Sequence, residues 1–433
     1  MTKHGKKIAC SLGAILLLVL MSQACGQSFE VDGRLLNANS NLPNDPPNPF
    51  DPGNPGVCQN NPPYPFLSSW NGSYPTPVRA DDCLSNPAYN LCLTYKDPVS
   101  TYGAKFSPPF TPSTATPQQE QQVFVYGVKV PSSGPLVSDH FNLRSGNHAP
   151  VAPTAIGDWK HSYRNDSNHF VAQLHVWYWV NWFRSYLIDR TGTFFASANV
   201  AKKKLQLWPA ANVENNAYFD SSLYSISIGW SDYSHKGNRA DLALDVATVL
   251  HELGHANYYM ANRHSIDGDN MSVSCFQNQT YCCPDRNGCP AAIHEGVADF
   301  HAKIAFPDAD GSILDYFFNS PAGDQWRDLD WIERNNVTAK MLYDRSQKGE
   351  IHDMGTVYAS IWYGVWKKAK ESCTEAEIEK LFVEHLIGIG GTDNFISAFS
   401  TIVAFANQLF PHKADKIIAD FKQEYARLGL TVQ

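Results

Sequence analysis

The feature that most constrains this chain is a helical segment with two histidines four residues apart. The stretch DLALDVATVLHELGHANYYMA has apolar residues at helical spacing, and it carries His251, Glu252 and His255. Side chains at positions i and i+4 of a helix lie on one face, so both imidazoles can bind one metal ion. Glu252 then points to the side, near a metal-bound water. The alternative is a solvated helix face whose polar residues have no shared role.

Two histidines do not complete a hydrolytic zinc site, which needs three protein ligands and an open position for water. The stretch AAIHEGVADFHA, residues 291–302, predicts a second helix that places Glu295 and Asp299 on one face. One carboxylate can bind the metal, and the other can accept a hydrogen bond from a ligand histidine. Asp299 is well placed for the supporting role. The alternative is ordinary helix charge, although the apolar neighbours make an unpaired carboxylate costly.

Together these two motifs resemble the gluzincin zinc metallopeptidases of the thermolysin and fungalysin group. The resemblance rests on HELGH followed by the glutamate and aspartate of EGVAD, and it covers about residues 165–370. It implies that Glu295 is the third zinc ligand and that Glu252 is the general base.

Two further segments are similar to the same group and stand in the same order along the chain. NNAYFD resembles the edge strand that pairs with an extended peptide, which implies that Asn216 and Ala217 bind substrate. GEIHDMGTVYASIWYGVW resembles the fungalysin segment that supplies a histidine to the oxyanion, which implies a catalytic role for His352. A lone histidine before a glycine is also a common turn or cap residue.

The sequence departs from the family pattern in three places. The separation of 40 residues between His255 and Glu295 is longer than in thermolysin, and a cysteine-rich insertion at about 264–290 explains it. The tyrosine that assists the catalytic histidine has no clear counterpart. The acidic residues of the calcium site are not matched, so one zinc ion and no calcium is expected.

The expected fold is α+β and zincin-like. A strand-rich N-terminal subdomain, 58–240, precedes a mainly helical C-terminal subdomain, 241–433, with the active-site helix between them. VFVYGVKV and NNAYFDSSLYSISIGW alternate like strands, whereas HFVAQLHVWYWVNWFRSYLIDR is apolar all round and predicts a buried helix. Helices are also predicted at 356–372 and near 393–408 and 412–428. A capping box formed by Thr374 and Glu377 predicts the start of a further helix.

The first residues are typical of an exported bacterial protein. A basic leader and an apolar stretch predict a signal peptide over 1–24, followed by a Pro/Asn-rich tether over 25–57. SQACG resembles a lipoprotein cleavage box, so a lipid on Cys25 would be the one link to a membrane. Ordinary cleavage near Ala24, with a periplasmic or secreted product, is the alternative.

Composition limits the remaining classes of function. The net charge of −8 without a long basic run argues against nucleic-acid binding. Of ten cysteines, eight remain after Cys10 and Cys25, which favours disulfides over a cysteine zinc site in an exported chain, with the pairing left open. The absence of a G-x-S-x-G motif disfavours a serine hydrolase.

The expected function is therefore an exported, monomeric zinc endopeptidase that acts on peptides or proteins. An endopeptidase is favoured over an aminopeptidase because no acidic motif for a free substrate amine precedes HELGH. The alternatives are an inactive surface or binding protein that keeps the fold, and a zinc hydrolase of cell-wall peptides. His264, His294 and His301 are expected to lie at the surface or to support the ligands rather than to bind the metal.

Overall fold

A computed structural model describes about half of the chain, within the compact unit Asn48–Gln433. The described residues are 76–79, 83, 85–93, 124–128, 138–152, 158–161, 169–196, 204–211, 213, 216–233, 238–262, 288–305, 327–345, 350–372, 374–391 and 393–432. The predicted signal peptide, Cys25, the tether, His264 and most of the cysteine-rich insertion lie outside these residues.

Nine strands form three sheets in the described part of the chain. The first sheet is antiparallel with the order β1-β3-β2 and contains β1 (Thr76–Arg79), β2 (Leu91–Leu93) and β3 (Phe124–Val128). The second has the order β4-β5-β7-β6 and contains β4 (Phe141–Leu143), β5 (Leu205–Trp208), β6 (Ala217–Asp220) and β7 (Ser225–Ile228). Its β4/β5 and β5/β7 pairs are parallel, and its β6/β7 pair is antiparallel. An antiparallel pair, β8 (Trp230–Tyr233) and β9 (Asn238–Asp241), follows.

The larger part of the described chain is helical. Its helices are α1 (Phe170–Thr191), α2 (Val246–Asn262), α3 (Gly288–Ala305), α4 (Leu329–Arg334), α5 (Ala339–Arg345), α6 (Ile351–Glu371), α7 (Glu375–His385), α8 (Phe395–Leu409) and α9 (Ala414–Arg427). The fold is thus mixed α/β with a small mixed sheet. Among the described residues, no helix combines the length and apolar character that crossing a membrane requires.

Helix α1 is buried around nearly its whole circumference, as its apolar sequence predicts. Gln173 accepts from the Val151 N–H at 2.9 Å, outside the helix. Other polar groups are paired within it: Trp179 Nε1 donates to His175 Nε2 at 3.0 Å, and Asn181 Nδ2 donates to the Trp177 carbonyl at 2.7 Å. Such internal pairing removes the cost of burying polar groups. Helix α1 therefore forms the centre of the core, against which α2 and α7 pack.

The helix α7 begins where the sequence predicts, but the predicted capping box is wrong. Thr374 is the N-cap residue and its side chain makes no capping bond. Its hydroxyl lies 3.4 Å from the Ala369 carbonyl, while Glu377 pairs with Lys413 at 2.6 Å. A capping box is found at α8 instead, between Asn394 and Ser397.

Glycines allow close contact between the helices α2, α3 and α6. A Cβ atom added at Gly254 would lie 2.8 Å from Ala298 Cα, at the contact between α2 and α3. At the contact between α3 and α6, a Cβ at Gly296 would lie 2.4 Å from the Gly355 carbonyl oxygen, and one at Gly355 would lie 2.6 Å from Glu295 Cβ. Real Cβ atoms do not approach this closely, so glycine is required at each crossing.

Cysteines form disulfides, as the leader and the cysteine count lead one to expect. Cys83 and Cys92 are bonded to each other, with their Cα atoms 6.0 Å apart. Cys289, at the start of α3, is also disulfide-bonded. The other predicted disulfide cysteines lie outside the described residues.

Candidate metal centre

The helix α2 carries its two histidines into the interior. Asp245 precedes the helix and accepts hydrogen bonds from the backbone N–H groups of Ala247 and Thr248, both at 3.2 Å, which satisfies donors that a helix start leaves free. One turn further on, His251 Nε2 and His255 Nε2 lie 3.0 Å apart. Both histidines and Glu252 are buried. A solvated helix face, the alternative for these residues, is therefore wrong.

Helix α3 brings two carboxylates to the same histidines. Glu295 Oε2 lies 3.2 Å from His251 Nε2, and Glu295 Oε1 lies 3.6 Å from His255 Nε2. Asp299, one turn later and fully buried, lies 2.8 Å from the other ring nitrogen of His251, Nδ1. The two carboxylates thus contact opposite nitrogens of one imidazole.

Arg327 is a buried residue of this centre that the sequence analysis missed. Its guanidinium Nη2 lies 2.5 Å from Asp299 Oδ1. Burial by itself raises the pKa of Asp299, but the charge of Arg327 and the hydrogen bond with His251 outweigh it, so the pKa is lowered. Arg327 therefore keeps Asp299 ionised beside His251. No local motif marks this arginine, because the contact joins segments 28 positions apart in the sequence.

Glu252 has different surroundings from the other carboxylates. Its Oε2 is buried without a hydrogen-bond partner, as are Glu295 Oε2 and Asp299 Oδ2, but Glu252 alone of the three makes no ion pair with the described residues. Burial raises the pKa of Glu252 to about 7, although the charge of His251 opposes the shift. Such a carboxylate exchanges protons near neutral pH, which is the property of a general base.

Glu295 is shifted in the opposite direction. Burial would raise its pKa, but the charges of His255 and His352 and the hydrogen bond with His251 hold it well below the ordinary value. Glu295 is thus an anion over the whole neutral range, as a metal-binding carboxylate must be.

His352 lies at the edge of this cluster, in the first turn of α6. Its Nε2 is 3.5 Å from Glu295 Oε2, and its side chain is 46% exposed. The neighbouring Glu350, which the sequence analysis also missed, is the N-cap of α6 and accepts from the backbone N–H groups of His352 and Asp353 at 3.0 and 3.1 Å. Its other oxygen bonds His352 Nδ1. The sequence signal for this role is a glutamate directly before the first residue of the helix, where a carboxylate can accept from the free backbone N–H groups.

The protonation of His352 follows from these contacts. Burial would lower the pKa of its imidazole, but the charge of Glu295 and the hydrogen bond with Glu350 raise it above the ordinary value. The half-buried imidazole therefore offers a proton-bearing Nε2 beside the buried cluster.

Of the two residues predicted to bind substrate, Ala217 is the first residue of β6, the last strand in the order of the four-stranded sheet, and Asn216 directly precedes it. Asn216 is exposed and accepts from the Gly229 N–H at 3.1 Å, and Ala217 begins the strand. Phe219 of the same strand contacts Tyr259 of α2, with ring centroids 5.6 Å apart. Thus β6 packs against the helix that carries the histidines.

His294 and His301 are both buried, so a surface position is wrong for each. His301 Nδ1 lies 3.1 Å from the Leu250 carbonyl oxygen. The His294 ring packs against the His255 ring at 4.3 Å between centroids. Both side chains thus contact residues of α2.

The buried group His251, Glu252 and His255 can hold a metal ion. A tetrahedral zinc site with metal–ligand bonds near 2.0–2.1 Å separates its ligand atoms by about 3.3 Å. The three separations among His251 Nε2, His255 Nε2 and the Glu295 oxygens are 3.0, 3.2 and 3.6 Å, close to that value. The donor set therefore fits a divalent cation with two imidazoles and one carboxylate.

Comparison with known proteins adds no family to these observations. The chain matches no protein-family model and no curated protein sequence.

Proposed function

We propose that this chain is a zinc-dependent endopeptidase whose zinc is held by His251, His255 and Glu295. The observation that carries the proposal is the buried cluster in which two imidazoles and an ionised carboxylate converge within 3.0–3.6 Å, beside a second carboxylate of raised pKa. We propose too that α2, α3 and the four-stranded sheet form a zincin-like catalytic unit.

The roles of the two glutamates follow from their surroundings. Glu295 touches both histidines and is held as an anion, so it is assigned as ligand. Glu252 makes no ion pair with the described residues and has a pKa near 7, so it is assigned as base. Two carboxylates whose surroundings separate their pKa values are a general sign of divided acid and base roles.

Zinc, when bound, supplies Lewis-acid chemistry that polarises water and the substrate carbonyl. Glu252 takes the proton of the attacking water at its free Oε2 and later gives it to the leaving nitrogen. His352 donates from Nε2 to the carbonyl oxygen as negative charge develops there, with Glu350 holding its Nδ1. Asp299, fixed by Arg327, keeps the His251 ring oriented through Nδ1.

The peptide would bind along β6. An extended segment can add as a further strand to a free sheet edge, where main-chain hydrogen bonds give affinity without demanding particular side chains. Asn216 and Ala217 are assigned to this pairing, because they lie at the start of the strand that packs on α2.

The test is cleavage of an unfolded protein by the zinc-loaded chain and by its Glu252→Gln variant. The variant keeps the size and the three ligands but cannot accept the proton. We expect cleavage by the wild type and a loss of at least about a hundredfold in the variant, since proton transfer contributes roughly 10²–10⁴-fold. Equal cleavage by both proteins would contradict the assigned base.

Two other results would redirect the proposal. Zinc binding without cleavage of any peptide by the wild type would favour the binding-protein alternative. Two histidines and one carboxylate also bind Fe²⁺ in oxygenases. Tight binding of Fe²⁺ with weak binding of Zn²⁺ would therefore argue for a different reaction class.

A further inference from the structure

Asp330, in α4, is contacted by two other helices. Lys303 of α3 places its Nζ 3.3 Å from Asp330 Oδ2. From α6, the Tyr363 hydroxyl donates to Asp330 Oδ1 at 2.7 Å, and Lys367 Nζ lies 3.3 Å from the same oxygen. One carboxylate thus joins the helix of Glu295 to the helix of His352.

The contact with Lys303 is a strong constraint because this lysine is only 3% exposed. Its ammonium also lies 5.0 Å from the centre of the Tyr363 ring. A buried ammonium is costly unless it is paired with an anion in good geometry, and Asp330 supplies such an anion, so this contact ties α4 to α3.

The sequence spacing links Asp330 to the metal centre. Asp299 and Lys303 are i and i+4 on α3, and they therefore lie on one face. Arg327 contacts the first at 2.5 Å, and Asp330 contacts the second at 3.3 Å. On α3 the anion Asp299 faces the cation Arg327, and the cation Lys303 faces the anion Asp330. This pattern fits one register only, because a shift by one turn would bring like charges together.

We propose that Asp330 is a positioning residue for the metal centre. By docking on Lys303 and Tyr363 it fixes the start of α4, which holds Arg327 on Asp299 and hence the ring of His251. Asp330 thereby raises the affinity of the chain for zinc without touching the ligands. This inference rests on the proposed zinc site.

The test is the Kd for zinc, measured by competition with a chromophoric chelator, in Asp330→Asn and in a matched control. Glu333→Gln is the control, since Glu333 also lies on α4 and pairs with Lys367 at 2.6 Å. We expect Asp330→Asn to weaken zinc binding about tenfold, at the lower end of the effect of outer partners of ligands. Glu333→Gln should leave the Kd within about twofold of the wild type.

A second arm separates positioning from general stability. If Asp330 acts through Arg327, the substitution Asp330→Asn causes no further loss in an Arg327→Gln background, because coupled residues are not additive. Full additivity, or an unchanged Kd in the single variant, would overturn the inference. Where Asp330→Asn does not fold, judged by circular dichroism, Tyr363→Phe removes one contact and should weaken zinc binding in the same direction. An unchanged Kd in that folded variant would also overturn it.

The failures are distinguishable. A wild type that binds no zinc overturns the proposed function and this inference together. A wild type that binds zinc, with Asp330→Asn equal to it, overturns this inference alone.

Discussion

At the scale of single residues, the two buried glutamates of the cluster are shifted in opposite directions. Glu252 makes no ion pair with the described residues, and burial dominates its pKa. Glu295 lies among three imidazoles, and their charges dominate instead. Chemically identical side chains thus acquire opposite pKa shifts through their neighbours alone.

Glu350 offers a residue-scale prediction. The charge of Glu295 and, after it, the hydrogen bond and charge of Glu350 raise the pKa of His352, and replacing Glu350 by Gln removes the second anion while keeping a hydrogen-bonding side chain at the N-cap. His352 then loses its proton at lower pH, so the alkaline limb of kcat/KM should move to lower pH. The maximum should fall about tenfold, since bonds to charged groups contribute roughly 1.5–3 kcal/mol.

The control for that prediction is Asp353→Asn. Asp353 lies in the first turn of α6 and carries the same charge as Glu350. Replacing it by Asn therefore removes one negative charge from the same helix N-terminus. Equal shifts of the alkaline limb in both variants would mean that Glu350 acts only through general charge.

At the scale of elements, the site depends on helices packed closer than side chains normally permit. Gly254, Gly296 and Gly355 lie at the crossings of α2 with α3 and of α3 with α6, next to the residues that form the cluster. Gly355, three residues after His352, therefore has a packing role, which is to let α6 approach the Cβ of Glu295.

Gly355→Ala tests this packing. The added Cβ would meet Glu295 Cβ at 2.6 Å and the Gly296 nitrogen at 2.8 Å, so the two helices must separate. We expect a loss of about 1–3 kcal/mol in the free energy of unfolding, the usual cost of overpacking. Zinc affinity should also fall, because Glu295 itself is displaced.

Gly390→Ala is the matched control, since its nearest neighbour would lie at an ordinary 3.6 Å. Urea unfolding and zinc titration of both variants provide the measurement. A Gly355→Ala protein that is as stable as Gly390→Ala would show that the crossing is looser than described.

The elements also mark the limit of what the sequence predicts. Helical periodicity located α2, α6 and α7, because apolar faces must be buried. Helix α6 was predicted to start at residue 356 and starts at Ile351, because Glu350 caps it five residues earlier. Arg327 and Asp330 could not be predicted, since their partners are distant in sequence and only the fold brings them together.

At the scale of the whole molecule, stability should depend on pH through buried neutral histidines away from the cluster. His385 is fully buried, bonds the Phe382 carbonyl oxygen through Nδ1, and accepts from the Tyr358 hydroxyl at 3.0 Å. Burial lowers its pKa to about 3. Below the unfolded pKa of about 6.5, the unfolded chain binds a proton that the folded chain does not, so stability falls as pH falls.

Between pH 7 and pH 5, this one histidine should account for about 2 kcal/mol of lost unfolding free energy. The His385→Gln variant should be less stable overall. Its free energy of unfolding should, however, fall by about 2 kcal/mol less than that of the wild type between pH 7 and pH 5. Urea unfolding at both pH values measures the difference. Identical declines in the two proteins would contradict a neutral buried His385.

The most direct test of the central claim is zinc binding by three proteins: the wild type, Glu295→Ala and Glu252→Gln. The wild type and Glu252→Gln should each bind one zinc ion with similar Kd. Glu295→Ala should bind at least about a hundredfold more weakly, because a zinc site of roughly 10–16 kcal/mol loses one of its ligands. Zinc bound equally well by Glu295→Ala, or lost in Glu252→Gln, would contradict the division of the cluster into ligands and base.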